Sequence, residues 1–390
     1  MRLLASSLLA GLMIPITALA GNGTTLATGP APHHRHHHRS MHHHPAHHRA
    51  HRRAQHRPAS ASSSSSSASV TSTASTSTSS TSAGRPFIAY SADSFLKSQV
   101  TGAPVDQTLT QQFHRYMATN PEQADTDYPT IRGVDGNKWG MPYAMSDCSD
   151  PVWRIGTVSK RSPSQWESLK TTGFHAPADL GSRFTGTSDS PFVVIDRCDH
   201  ITVYGHSASV AAHRRVNVAS FGAFNHDSNG LDERNPASNN SQNFRSRGVI
   251  PDSMLIRKDQ MDYAIAHHTD LGQVLEVFFV ETDGSGSPCY TSPMVGCEQR
   301  HTGWGREGLR IAVSPSVDLS TRNCTPQALA IARTLQDYGG YLGDNSGSTT
   351  GIKAQQESPS HPVWHGTLSR DELQGCISWK DFVVVKPGWQ

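Results

Sequence analysis

The sequence predicts a mainly β protein: a β-sandwich or jelly-roll-like single domain with a few short rim helices, preceded by a disordered N-terminal region. Two observations lead to this prediction. Apolar and β-branched runs are short and end at turn-forming residues, which is the pattern of strands. Helical periodicity is rare, and many strands with few helices favour two packed sheets.

The first 20 residues have the composition of a secretory signal peptide. Arg2 precedes an apolar run from Leu3 to Leu19, and Ala18-Leu19-Ala20 is a small-residue cleavage site. The chain is therefore predicted to be secreted or periplasmic. No second long apolar stretch follows, so the protein is predicted not to be transmembrane.

Residues 21–84 are predicted to be a disordered arm and linker. The segment from His33 to Arg57 holds 12 of the 23 histidines, six arginines and no acid, and its imidazoles gain charge below about pH 6. From Ala59 to Ser82 the composition is almost entirely Ser, Thr and Ala, which is typical of a flexible spacer. The arm is a solvated linker, a tether to an anionic polysaccharide or envelope surface at acid pH, or a loose chelator of zinc, copper or nickel. It lacks the fixed ligand spacing of a metal site, so neither a metal nor a cofactor is predicted.

Residues 85–390 are predicted to form the folded domain, whose net charge is opposite in sign to that of the arm. Because residues 1–84 hold seven basic residues and no acids, the domain contains 27 Lys+Arg against 32 Asp+Glu, a net charge of −5. A mildly acidic domain does not have the basic surface of a nucleic-acid-binding protein. No specific nucleic-acid partner is predicted.

Four parts of the domain have clear strand patterns. Phe192–Ile195, which ends at Asp196, and 200–204 are separated by a short polar turn and are predicted to form a hairpin. The longest apolar run is 274–280, an alternating run follows at 309–313, and a last strand is predicted at 382–385.

Helices are predicted at two places. Thr325 and Pro326 have the residue types of an N-cap and first helical position, apolar residues then recur at helical spacing, and Gly339 ends the pattern. Residues 252–265 form a weaker helical pattern. Ser369-x-x-Glu372 matches a capping box and predicts one short turn.

All six cysteines fall in the domain, and an even number in an exported chain favours three disulfide bonds. Cys289 and Cys297 are close enough to close a Pro/Gly-rich loop. Cys324 and Cys376 precede a predicted helix and the last strand, so a bond between them would fix the C-terminal layer. The pairing is otherwise open, since six cysteines, with Cys148 and Cys198 as the others, allow 15 connectivities.

The region from about Met141 to Pro387 also contains five segments in a recognisable order. They are an aspartate before a Val-Val-x-Asp strand, an Ile-x-His segment, a Gly-x-Arg strand with a later aspartate, a Tyr-Gly-x4-Asp segment and a closing Asp-Phe-x-Val-Val strand. They correspond to Ser188–Asp196, Gly248–Ile250 leading to Ile265-Ala266-His267, Gly308–Ile311 with Asp318, Thr334–Asp344 and Asp381–Val385.

In these segments the chain resembles a family of exported, largely uncharacterised bacterial proteins. The resemblance implies an exported, β-sandwich-like domain and supplies no established reaction. Family members often have histidine after the first aspartate, where this chain has Ser190. If that histidine takes part in chemistry, this chain lacks it.

Three residues are candidates for catalysis: His267, Arg310 and Asp344. A histidine near a carboxylate can act as a general base or acid, and His267 also matches the family segment. Arg310 could hold a carboxylate or sulfate in a bidentate grip, and Asp344 could orient a sugar hydroxyl. The alternatives are a histidine that caps a helix end, an ordinary solvated strand face and a turn-forming aspartate.

Three residues near the short disulfide loop are candidates for binding: His301, Trp304 and Arg306. An aromatic ring with basic neighbours suits an acidic sugar, which can stack on the ring and pair with the cation. The alternative is a scattered surface aromatic, which is normal in globular proteins.

Compartment and fold leave two functional hypotheses. The first is an exported cell-envelope or matrix-associated protein that interacts with a glycan without catalysis. The second is a secreted polysaccharide-degrading enzyme, a lyase or hydrolase, acting on an acidic glycan. The second predicts that the three catalytic candidates lie together in one groove.

Overall fold

The structure, a computed structural model, describes residues 84–120, 126–136, 138–162, 164–184, 189–231, 253–298 and 300–389. These residues belong to one unit, Ser79–Gln390. The predicted signal peptide, the predicted arm, most of the predicted linker and the family segment at 248–250 lie outside the described residues. No helix of the described part is long and apolar enough to cross a membrane.

Thirteen strands and three α-helices form the regular structure of the described residues, which confirms a mainly β chain with few helices. The strands are β1 (Ile131–Arg132), β2 (Tyr143–Ser146), β3 (Val152–Arg161), β4 (Phe174–His175), β5 (Phe192–Asp196), β6 (Ile201–His206), β7 (Ser209–Ala211), β8 (Arg215–Asn225), β9 (Leu275–Phe279), β10 (Arg310–Val313), β11 (Gly340–Asn345), β12 (Gly351–Lys353) and β13 (Phe382–Val384). The helices are α1 (Gln107–Thr119), α2 (Lys258–His267) and α3 (Pro326–Asp337).

The strands form two mixed sheets. The first has the order β1-β12-β9-β11-β10-β13, and the second has the order β2-β5-β6-β8-β3-β4, with β7 paired to β8. Of the eleven strand pairings in the described residues, four are parallel: β1 with β12, β9 with β11, β2 with β5 and β3 with β8. The sheets of a jelly roll are antiparallel throughout. The topology therefore establishes two sheets but does not establish the predicted jelly roll.

The helices cover one whole face of the first sheet, where the sequence predicted them at the rim. Phe113 of α1, Met261 of α2 and Ile331 of α3 share a buried cluster with Val277 of β9 and Ile311 of β10. Each helix therefore buries its apolar stripe against the sheet. A short helix gains most of its stability from packing of this kind.

The other face of the first sheet packs against the second sheet. Tyr341 of β11 lies in one buried cluster with Tyr143, Val193 and Tyr204, which belong to three strands of the second sheet. The far face of the second sheet is covered by the chain between residues 164 and 184, through side chains such as Leu169. Both faces of each sheet are consequently buried over most of their area.

The hairpin prediction is confirmed, because β5 and β6 pair antiparallel with Val194 opposite Val203. The helix predicted from Thr325 is also confirmed: the Thr325 side chain accepts a hydrogen bond from the Ala328 backbone N–H. The weaker prediction at 252–265 is displaced. The helix begins at Lys258 after Arg257, whose side chain makes no cap, and Asp252 lies outside the described residues.

Three disulfide bonds join all six cysteines, as predicted: Cys148–Cys198, Cys289–Cys297 and Cys324–Cys376. The first ties the β2–β3 connection to the β5–β6 turn, and the second closes a loop of the β9–β10 connection. The third joins the residue before the α3 N-cap to the segment before β13. No cysteine is free.

Residues 84–106, which we call the N-terminal strap, cross both sheets before α1 begins. The Ser91 backbone N–H donates to the Ser228 carbonyl after β8, and the Leu96 carbonyl accepts from Val274 before β9. Val100 then donates to the Asp337 carbonyl at the end of α3. The strap thus connects elements that are distant in sequence.

His226 is a buried histidine that packs against the strap. It is 6% exposed, its Nε2 lies 3.0 Å from Thr202 Oγ1, and the rings of Phe87 and Tyr90 lie 5.3 and 6.3 Å away. Burial, followed by the nearby His200, lowers the pKa of His226 from 6.5 to about 4.

We expect acid to destabilise the protein through His226. The unfolded chain binds this proton near pH 6.5 and the folded chain only near pH 4, so stability falls as the pH drops through that window. The loss between pH 7 and pH 4.5 should be about 2 kcal/mol. Thermal melts of the wild type and His226→Gln at both pH values check this, and an equal pH-dependent loss in both proteins would exclude His226 as the cause.

Candidate functional site

A cleft of about 400 Å³ opens between α1 and the long β9–β10 connection, residues 280–309. The connection is held in shape by its disulfide and by backbone hydrogen bonds from Asp283 to the Gly305 carbonyl and from Thr291 to the Glu307 carbonyl. The cleft is lined by polar and aromatic side chains together with apolar ones: Leu109, Gln112, Asp283, Thr291, Trp304, Arg306, Leu309 and Pro387.

Trp304 supplies the aromatic wall of this cleft. Its ring lies 5.0 Å from Phe113 and 6.2 Å from Phe279, and it packs against the buried cluster of the first sheet. The indole is only half-buried, so one part is fixed by the core while another part borders the cleft. A ring held in this way loses little conformational entropy when a ligand covers it.

Arg306 supplies the charge. Its guanidinium is half-buried, and within the described part of the chain it makes no hydrogen bond or ion pair. The group lies against Gly286, where a Cβ would come within 2.6 Å of Nη2. Hydrogen bonds from Ser285, assisted by the Arg306 charge, lower the pKa of the nearby Asp283, which therefore remains a carboxylate.

The structure brings two of the three predicted binding residues together. Trp304 and Arg306 line the same cleft, whereas His301 lies beside it on the same connection. The His301 ring is 3.8 Å from Glu281 Oε1 and 3.9 Å from Glu298 Oε2, so its nearest polar neighbours are two carboxylates.

Arg310 has a structural position. It is 3% exposed, and its five N–H donors are directed at the Tyr338 carbonyl, at the carbonyl and hydroxyl of Ser98, and at the Tyr341 hydroxyl. The guanidinium also stacks on the Tyr341 ring at 5.0 Å. No donor remains for a substrate carboxylate. The expected solvated strand face is likewise absent at this position, because Ser98 of the strap and Tyr338 after α3 lie against the side chain.

Asp344 belongs to a buried charged group on the same face of the first sheet. Its carboxylate is 3.6 Å from Lys353 Nζ, and that ammonium is 3.1 Å from Glu276 Oε1 and 5.8 Å from the Phe278 ring centre. Glu276 is fully buried. These charges lie inside the protein and not at an open groove.

His267 is distant from this group. It is exposed at the C-terminal end of α2, with its ring stacked 3.9 Å from that of Tyr263 and its Nδ1 2.9 Å from the Tyr263 carbonyl. Because α2 covers the opposite face of the first sheet, the structure does not bring His267 to Arg310 and Asp344. A shared groove for the three catalytic candidates is not observed.

One group of three possible metal ligands occurs in the described residues: His175, Cys198 and Asp199. The Cys198 sulfur is bonded to Cys148, so it is not a thiolate, and His175 Nδ1 instead lies 3.1 Å from Asp199 Oδ2. Two remaining ligands are too few for a zinc site.

Sequence reasoning missed both the α1 wall of the cleft and the buried Glu276–Lys353 pair. An indication of α1 was present, since Asp106 precedes Leu109, Phe113 and Met117 at helical spacing. Comparisons of the chain with protein-family models, with curated proteins and with solved structures found no match.

Proposed function

We propose that this protein is an exported, envelope- or matrix-associated protein that binds an acidic glycan in the cleft between α1 and the β9–β10 connection. The observation behind this proposal is the half-buried guanidinium of Arg306, which makes no hydrogen bond or ion pair among the described residues and lines the same cleft as Trp304. Asp283 is near enough to interact with this charge but forms no ion pair with it, so a ligand anion can supply the hydrogen-bond acceptors that the guanidinium lacks.

The chemistry of the cleft matches an acidic sugar. A carboxylate or sulfate can accept two parallel hydrogen bonds from Arg306, while the apolar face of a sugar ring covers the exposed part of Trp304. Asp283 and Gln112 can hold hydroxyl groups, since a carboxylate accepts and an amide both donates and accepts.

Export is supported by the three disulfide bonds, because such bonds persist in oxidising compartments. It agrees with the signal-peptide pattern and with the family resemblance. We also infer that the two sheets pack as a sandwich, which is supported by the buried cluster that they share.

The alternative is a lyase or hydrolase that degrades an acidic glycan. Of the side chains that line the cleft, two are ionisable, Asp283 and Arg306. A glycosidase generally uses two carboxyl groups, one of them protonated, whereas Asp283 is held ionised. Binding therefore fits the cleft better than hydrolysis. New reducing ends or unsaturated-sugar absorbance after incubation with uronate polymers would support the enzyme instead.

Replacing Arg306 with glutamine is expected to weaken the binding of uronate trisaccharides by about 10- to 100-fold, because charge-assisted hydrogen bonds of about 1.5–3 kcal/mol are lost. Isothermal titration with galacturonate, glucuronate and mannuronate trimers measures this, and neutral maltotriose is the reference ligand. Gly286→Ala should also weaken binding, since it displaces the guanidinium without removing its charge.

Arg115→Gln is the matched control, because this exposed arginine is on α1 and does not line the cleft. The proposal fails if no acidic trisaccharide binds at millimolar concentration. It also fails if Arg306→Gln and Arg115→Gln have equal effects.

A further inference from the structure

The turn between β7 and β8 places two bulky residues in an unfavourable backbone conformation. His213 and Arg214 have φ angles of 59° and 52°, in the left-handed region. The turn consists of residues 212–214, since Ala211 pairs with Arg215, and its two left-handed positions favour Asn or Gly because a bulkier side chain destabilises this conformation. The sequence thus departs from local preference at two successive positions.

Arg215, which follows this turn, also departs from the preference of paired strands for avoiding like charges opposite each other. Arg215 of β8 is the direct partner of Arg154 in the parallel ladder with β3. Like charges on neighbouring strands destabilise a sheet. The Arg154 backbone donates to the Arg214 carbonyl, and its Nε donates to the Thr171 carbonyl at 2.7 Å, so the three arginines are held close together.

No carboxylate of the described residues compensates this charge. Arg183, Arg257 and Arg322 elsewhere in the domain each form an ion pair with an aspartate. Within the described ranges, the arginines at 154, 214 and 215 form none, and those at 214 and 215 are exposed. Departures from local folding rules without an internal compensation are typical of functional sites.

We propose that this basic hairpin, formed by His213, Arg214, Arg215 and the adjacent Arg154, binds a linear acidic polysaccharide through its repeated carboxylate or sulfate groups. The hairpin shares no residue with the cleft, so the proposal does not depend on the function proposed above. The large exposed apolar side chain on the hairpin is Val210. Because it is not an aromatic ring, nucleic-acid bases lack a stacking platform there.

The test is retention of the full chain on immobilised heparin and polygalacturonate at pH 7.5, with neutral dextran as the reference matrix. His213→Asn combined with Arg214→Gly should elute at lower salt and melt about 3 °C higher, because the turn becomes favourable while a charge is lost. Arg154→Gln combined with Arg215→Gln should also elute earlier and should lower the salt dependence of binding by about two ionic contacts.

Lys138→Gln combined with Lys380→Gln is the control, since it removes two exposed charges outside the hairpin and should elute later than the arginine variant. Equal elution of the control and the Arg154/Arg215 variant would overturn the proposal. Turn variants that melt higher but are retained like the wild type would show that the hairpin does not bind. Stronger retention on immobilised double-stranded DNA than on either polysaccharide would overturn the assignment of the partner.

Discussion

Arg310→Gln is expected to lower the free energy of unfolding by about 3–5 kcal/mol, a loss of roughly 10 °C in melting temperature. The change removes a guanidinium whose five donors are all used and leaves the buried Tyr338 and Ser98 carbonyls without donors. It also removes the side-chain link between Ser98 of the strap and the Tyr338 carbonyl after α3 and leaves the backbone hydrogen bond from Val100 to Asp337. Thermal and urea unfolding of the purified variant measure the effect.

Arg306→Gln provides the comparison, because the Arg306 guanidinium makes no hydrogen bond within the described chain. Its loss should change the melting temperature by less than about 2 °C. For the binding of acidic trisaccharides, the order of the two variants should be reversed. Arg306→Gln should lose much of its affinity, and Arg310→Gln should lose less. A stable Arg310→Gln protein with impaired binding would instead restore Arg310 as a ligand-binding residue.

Lys353→Met is expected to destabilise the protein by about 3–5 kcal/mol, because it removes the cation between two buried carboxylates. Adding Glu276→Gln should restore part of the loss, since a neutral amide is easier to bury than an unbalanced carboxylate. A double-mutant cycle from thermal unfolding measures the coupling, with Lys353→Arg as the variant that keeps the charge. Additive effects of the two single changes would show that the pair is not coupled.

The sequence was sufficient for elements whose determinants are local. The α3 helix has its cap, its first-turn proline and its terminating glycine within 15 residues, and it forms where expected. The α2 helix begins late because Arg257 makes no side-chain cap and turns instead to Asp259, at 2.6 Å, and to the Phe87 carbonyl of the strap. That contact joins residues 170 positions apart, which periodicity does not report.

The candidate site residues also divide into those that local sequence identifies and those that depend on contacts between distant parts of the chain. Trp304 and Arg306 were identified together because they are neighbours in sequence, but the Gln112 wall of the cleft comes from α1. The position of Arg310 could not be read from its strand, since alternation predicts a polar residue on a solvated outer face. Both faces of this sheet are covered, so the same pattern yields a buried arginine with a structural role.

The N-terminal strap has a mechanical consequence. Force applied to the chain ahead of Gly84 would reach the strap before either sheet. It would load the Phe87 contact with Arg257 and the Ser91 and Leu96 hydrogen bonds first, and then the Ser98 contacts with Arg310 and the Val100 hydrogen bond. Since the Ser91, Leu96 and Val100 bonds attach next to β8, next to β9 and at α3, the strap has to detach from three elements in turn before the pull passes to α1.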